Sequence, residues 1–158
     1  MDKLSTRKGA ISDIEIIVQF QKNMALETEE RILLESSIRS GVTEVIGDEQ
    51  KGTYLVAEHE GKIIGSLLIT YEWSDCRNGW FWWIQSVYVK KEWRRKGVYS
   101  HLYDEVKKLS LNEGNVCGIR LYVEKENKLH ILFIKTLGCM TRNIYFTKQN
   151  FRRTQHEY

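Results

Sequence analysis

The residues best equipped for chemistry stand together in the run Gln85-Ser86-Val87-Tyr88-Val89-Lys90-Lys91-Glu92-Trp93-Arg94-Arg95-Lys96-Gly97-Val98-Tyr99-Ser100. A strand-like apolar run feeds a basic turn, and a glycine stands where a helical pattern begins. The first turn of a helix leaves backbone N–H groups without helical partners, and the helix dipole adds positive potential there. A pyrophosphate meets both demands. Gly97 permits close approach to the backbone. Arg94, Arg95 and Lys96 add positive charge, the arginines with fork-shaped donors. Spacing alone leaves two other readings open. One is a basic surface loop ending in a turn glycine. The other is a nucleic-acid patch, which the shortness of the basic run and the apolar setting of the nearby aromatics oppose.

Other chemistries find little support. Gly47-x-x-x-x-Gly52-Thr53 grazes a phosphate-loop pattern but lacks the lysine and runs from helix to strand. No Gly-x-Ser-x-Gly elbow occurs. His59, His101, His130 and His156 show no metal-ligand spacing, so no metal is expected. Cys76, Cys117 and Cys139 read as reduced thiols.

A chain of 158 residues fits one domain, 1–158, with about 150–158 as a fraying tail. Apolar residues at 42% and charged residues at 28% suit a globular protein rather than a disordered one. The 24 basic and 21 acidic side chains leave a net charge of +3, too mild to argue for nucleic acid. No apolar run approaches the roughly 20 residues of a membrane-spanning helix. Met1-Asp2-Lys3-Leu4 does not read as a secretory signal, and the expected compartment is the cytoplasm.

The elements around the basic turn follow from period and punctuation. Leu4 to Lys8 suits a short strand. Ser12 and Asp13 offer N-cap chemistry, with Glu15 completing a capping box. Ile16, Phe20 and Met24, with Ile17, mark one face of a helix to about Leu26. A second helix spans about Glu29 to Ile46, with Ile32, Leu33, Ile38, Val42 and Val45 inward. Thr53 to His59, Lys62 to Trp73 and Trp80 to Lys90 form an antiparallel meander, with a turn at Glu60-Gly61 and a polar break from Asp75 to Gly79. Alternation puts Trp80 and Trp82 on one face and Trp83 on the other, mostly in the core. Val98, Leu102, Val106 and Leu109 share a helical face that closes at Asn112 to Asn115. Gly118 to Glu124 is a strand, and the strand–helix–strand order implies a parallel crossover. Asn127 caps a helix through Leu137, and Met140 to Phe146 is a further strand.

The run Arg94-x-x-Gly97-x-Tyr99 resembles the Gln/Arg-x-x-Gly-x-Gly/Ala signature of the GNAT superfamily of N-acetyltransferases, with Tyr99 where a small residue is usual. Met24-Ala25-Leu26-Glu27-Thr28-Glu29, the strand from Trp80 to Val89, Leu121-Tyr122-Val123-Glu124 with Asn127, and Leu137-Gly138 are similar to a bacterial-type branch of that family. The order is kept from about Thr6 to Gln149.

The resemblance implies an α/β (α+β) fold with a mixed, mostly antiparallel central sheet, splayed parallel strands and flanking helices. It implies acetyl-CoA as co-substrate. Pantetheine would pair with the backbone of Val87 and Val89, Tyr88 between them would belong to the same cofactor-binding stretch, and the pyrophosphate would sit on the N–H groups of Arg95, Lys96, Gly97, Val98, Tyr99 and Ser100. Asn127 would touch the cofactor as well as cap its helix. The reaction would be direct acyl transfer to an amine of a small molecule, amino acid or peptide. No nucleic-acid or membrane partner is expected, and a homodimer is compatible. Glu27 and Glu29 lie where this fold admits the acceptor, and carboxylates there would attract a cationic amine; the alternative is a solvated helix end. Many relatives carry a tyrosine at the position of Ile134, which cannot donate a proton. Either no dedicated acid is needed, or His130 or Tyr99 serves, or the protein is a catalytically weak acyl-CoA-binding module.

Overall fold

The computed structural model describes residues 4–122 and 144–145. The chain divides into two compact units, Met1–Arg120 and Leu121–Tyr158. In the first unit, β1 (Leu4–Lys8), β2 (Thr53–His59), β3 (Lys62–Ser74) and β4 (Gly79–Val89) form an antiparallel meander, each strand beside the next. Helix α3 (Val98–Glu113) crosses from β4 to β5 (Val116–Tyr122). The two strands start together, where Trp80 N–H donates to Asn115 C=O at 2.9 Å, and they run parallel. In the second unit, Leu121 and Tyr122 pair in parallel with Ile144 and Tyr145 of β6 (Ile144–Tyr145).

Helices α1 (Ile14–Glu29) and α2 (Glu35–Gly47) cover one face of the sheet. Ile17, Val18 and Val42 pack there against Tyr54 and Val56, with Ile38, Val45 and Leu68 at the margin. Strand alternation sends Leu55, Leu67 and Ile69 to the other face. Val98, Leu102 and Val106 of α3 are fully buried there.

The meander and the crossover match the sequence reading; three local expectations do not. The start of α1 is not held by a Ser12–Glu15 box. A single 3-10 turn, Ile11–Asp13, precedes the helix, and the Asp13 carboxylate accepts the Ala10 N–H at 2.7 Å. Glu15 pairs instead with Arg39 of α2. Helix α1 runs to Glu29, beyond Leu26, and α2 begins only at Glu35. Glu27, Glu29 and Glu30 crowd negative charge onto a C-terminus whose dipole disfavours it. Glu30 takes a left-handed conformation at φ 50° and its N–H returns to Ala25 C=O. Ile32, expected inward on a longer α2, is therefore 90% exposed on the connecting loop. The aromatic hairpin is also less core-like than its composition implies. Trp82 is buried, but Trp73 and Trp80 stack edge-on at 5.1 Å on the surface.

Candidate functional site

Strand β4 does not run straight into the basic turn. Ser66 of β3 lies opposite Tyr88, whereas Leu68 lies opposite Gln85. Two steps on β3 thus oppose three on β4, which is a β-bulge, and Ser86 absorbs the extra residue at φ 50°. Beyond the bulge, Lys90 N–H donates to Ile64 C=O at 2.9 Å, and Val89 lies opposite Gly65. Hydrogen-bonded and open pairs alternate in an antiparallel ladder. Val89 is therefore in an open pair, with its N–H and C=O directed away from β3.

The bulge also keeps Tyr88 on the α1 side. Its ring lies 4.9 Å from that of Phe20 and is largely buried. The hydroxyl donates to Glu27 Oε1 at 3.2 Å and accepts from the Asn23 amide at 3.4 Å. Burial pushes the phenol pKa up, the Asn23 hydrogen bond opposes this, and the Glu27 charge adds to the rise.

The turn after β4 folds back over this pair. Lys91–Trp93 form a 3-10 turn. Arg94 then extends its guanidinium across the strand end. Its Nε–H donates to Val89 C=O at 2.9 Å and its Nη2–H to Glu27 Oε2 at 2.6 Å. Lys91 Nζ lies 3.7 Å from Glu27 Oε1. Partial burial raises the Glu27 pKa, but the hydrogen bond and charge of Arg94 outweigh it, with help from Tyr88 and Lys91. The carboxyl is held below its ordinary range. An open cleft of about 320 Å³ lies here, with Asn23, Leu26, Glu27, Tyr88, Lys90 and Lys91 among its walls.

The helix start completes the site. Gly97 sits at φ 80°, a left-handed conformation that a side chain would strain. A Cβ placed on it would meet nothing within 4 Å, so the space above its backbone is open. His101 N–H donates to Gly97 C=O as α3 begins, and the N–H groups of the first turn precede that bond. Val98 is fully buried against the sheet beside Gly65, which fixes the helix start to β3 and β4. Trp93 packs tilted against His59, ring centres 4.5 Å apart, and Lys96 Nζ lies 4.9 Å over the Trp93 ring.

The structure thus brings together Val87, Tyr88, Val89, Arg94, Arg95, Lys96, Gly97, Val98, Tyr99 and Ser100 along one strand end, turn and helix start. It joins Glu27 to them through Arg94 and Tyr88. Glu29 is not in this network; it lies on the surface, 3.9 Å from Arg31. Asn127, His130 and Ile134 lie outside the described residues. Sequence reading did not find the bulge, Asn23, or the Tyr88–Glu27 contact. A signal for the bulge existed. The residues facing α3 are even-numbered up to Ile84 and odd-numbered at Val87 and Val89, and such a change of parity needs an extra residue.

Among the described residues, no group of three or more His, Cys, Asp or Glu is placed to hold a metal ion. No described helix is long and apolar enough to cross a membrane.

Residues 19–139 match the family model of the acetyltransferase (GNAT) family. No curated protein matches the sequence. Among solved structures, a possible acetyltransferase from Clostridium difficile 630 is 37% identical, with TM-score 0.81, over 98% of this chain and 99% of that one. A transcriptional regulator from Bacillus halodurans C-125 shares the fold at 21% identity and TM-score 0.79, over 94% of this chain and 100% of that one. Aminoglycoside N-acetyltransferase AAC(6')-Iy, solved with CoA, shares it at 14% identity and TM-score 0.75, over 99% of this chain and 97% of that one. With the strand, the basic turn and the glycine-led helix in their expected order, the chain belongs to the GNAT family of acetyltransferases.

Proposed function

We propose that this protein, read as one acetyltransferase domain over 1–158, is a cytoplasmic acetyl-CoA-dependent N-acetyltransferase. Its acceptor would be a primary amine of a small molecule, amino acid or peptide. One observation carries this reading: Val89 directs its backbone polar groups away from β3, a few residues before a helix start with open space over Gly97. Extended amides such as those of pantetheine pair with the first feature, and a pyrophosphate suits the second. The fold neighbour AAC(6')-Iy was solved with CoA, which supports the same occupant here.

Acetyl-CoA supplies an activated thioester. The amine nitrogen bonds to its carbonyl carbon, the C–S bond breaks, the nitrogen gives up a proton, and CoA leaves as thiol or thiolate. The chain's part is first alignment: Val89 fixes the pantetheine arm, and the first turn of α3 fixes the phosphates. Backbone N–H at the β4 bulge, where the strand bends, is suited to polarising the carbonyl. Glu27 and Tyr88 line the cleft beside it and would orient the amine. Incubation with acetyl-CoA and a broad amine panel, followed by free thiol, tests the proposal. Thiol release that requires an amine supports it.

A second reading is favoured by Ile134, which stands where many relatives carry a proton-donating tyrosine. The protein would then bind acyl-CoA without turning it over. It predicts CoA binding with no thiol release from any amine, and turnover on Ile134→Tyr. Efficient wild-type turnover excludes it.

A further inference from the structure

Arg94 occupies the groups that the cofactor would need. Its Nε–H covers the Val89 carbonyl, the acceptor left facing away from β3, and its Nη2–H is held by Glu27. Glu27 is meanwhile held in the cleft wall by Tyr88. Arg94 is about two-fifths exposed on its side chain, and the Arg94–Glu27 contact joins elements far apart in sequence, the C-terminal turn of α1 and the turn after β4. Exposed pairs of this kind are weak, so a phosphate with two or more anionic oxygens competes well for the guanidinium. Glu27 also sits in the last turn of α1, where the dipole disfavours a carboxylate and makes it dependent on nearby cations.

Resting on the cofactor reading above, we infer that Arg94 is a latch released by the cofactor, and that Glu27 is thereby unmasked to position the acceptor amine. A pantetheine amide N–H takes over the Val89 carbonyl, and phosphate oxygens draw the guanidinium off Glu27. The freed carboxylate remains fastened to the Tyr88 hydroxyl and faces the cleft with its negative charge no longer met by Arg94, leaving only the longer contact with Lys91 at 3.7 Å. A cationic amine is then attracted more strongly once the cofactor is in place. Glu27 is on this account a positioning residue that also competes with the cofactor for Arg94. No bond is made or broken in the exchange.

Calorimetric titration of CoA into the full-length wild type, Glu27→Gln, Glu27→Asp, Arg94→Gln and the double variant Glu27→Gln/Arg94→Gln tests the latch. Removing the Glu27 charge frees Arg94, so Glu27→Gln should bind CoA about three- to fivefold tighter, the scale set by an exposed ion pair. Glu27→Asp should return toward wild type. In the Arg94→Gln background, Glu27→Gln should change nothing, which a merely structural role for Glu27 would not produce. Glu27→Gln affinity equal to or weaker than wild type overturns the latch, as does an equal gain with Arg94 already removed. If none of the five proteins binds CoA, the cofactor reading fails and the latch falls with it. If all bind alike, the cofactor reading stands and only the latch fails.

Discussion

Helix α1 is fastened at both ends by an arginine and a carboxylate, and the two fastenings differ in kind. At its start, Arg7 of β1 donates to both oxygens of Asp13, at 2.6 and 3.1 Å, and also to Glu58 of β2. The Asp13 side chain is only 5% exposed. It also takes the Ala10 N–H, and it lies where the helix dipole favours a negative charge. At the end of α1, Glu27 is more open at 23%, although its partner Arg94 is no more exposed than Arg7, and the dipole works against the carboxylate. Every hydrogen bond at Asp13 is internal and directs the chain into the helix. The bonds at Glu27 reach a strand end and a turn whose groups face open space. The same two residue types thus build a structural clamp in one place and an exchangeable contact in the other. Burial and the sign of the dipole decide which.

The comparison can be broken most sharply at the open end. Gly97→Glu places a carboxylate where phosphates would sit and a side chain at φ 80°. CoA affinity should fall at least about 100-fold, equivalent to roughly 2.7 kcal/mol, while a thermal melt shifts only by the cost of a left-handed non-glycine residue. Unchanged affinity by calorimetry would misplace the phosphate cradle.

The buried clamp should matter most to stability. Asp13→Asn should cost roughly 2–3 kcal/mol in denaturant unfolding, because the charge-assisted contact is lost and Arg7 keeps Glu58 and the Lys8 carbonyl. The hydrogen bond from Arg7 holds the Asp13 carboxyl below its ordinary value; burial opposes this and the Ala10 N–H assists. A folded pKa below the unfolded one, about 3.9, gives a contribution fully present above that value. It is lost as pH falls through the folded pKa. The gap between wild type and Asp13→Asn should therefore shrink on acidification below about pH 4. A gap that widens there would refute the assignment.

Ser86 tests strain at the site. Its left-handed backbone costs about 1–2 kcal/mol for a residue with a side chain, and glycine's extra chain entropy cancels roughly 0.5–1 of that. Ser86→Gly should stabilise by up to about 1.5 kcal/mol. Ser86→Val should destabilise. A stabilised Val variant would argue against the bulge.

Arg94→Gln should have the smallest effect on stability, within about 0.5–1 kcal/mol by chemical denaturation. Arg7→Gln should cost more than that. Equal costs for the two arginines would erase the distinction between clamp and latch.

The local elements were far more legible in the sequence than the contacts that join them at either end of α1. The meander, the crossover and the turn to α3 follow from alternation, helical period and Gly97, all of which are local signals. β1 and β2 match their expected bounds, and α3 begins at Val98 as its apolar face implies. The long-range contacts were not readable. Arg94 and Glu27 are 67 residues apart, and nothing local tells an arginine whether its partner is a phosphate or a carboxylate. Arg7 and Asp13 are close in sequence, yet their pairing depends on β1 lying beside β2 and on the chain turning back at Ala10. The acidic run at the end of α1 was visible, but its effect, ending the helix at Glu29 and exposing Ile32, is a balance between dipole and propensity that periodicity does not weigh.

A crystal structure with CoA bound tests the central claim most directly. The account predicts pyrophosphate oxygens within hydrogen-bond distance of the first-turn N–H groups of α3, a pantetheine amide on Val89, and the Arg94 guanidinium turned from Glu27 toward phosphate. Phosphates bound elsewhere, with Arg94 still on the Val89 carbonyl, would contradict it.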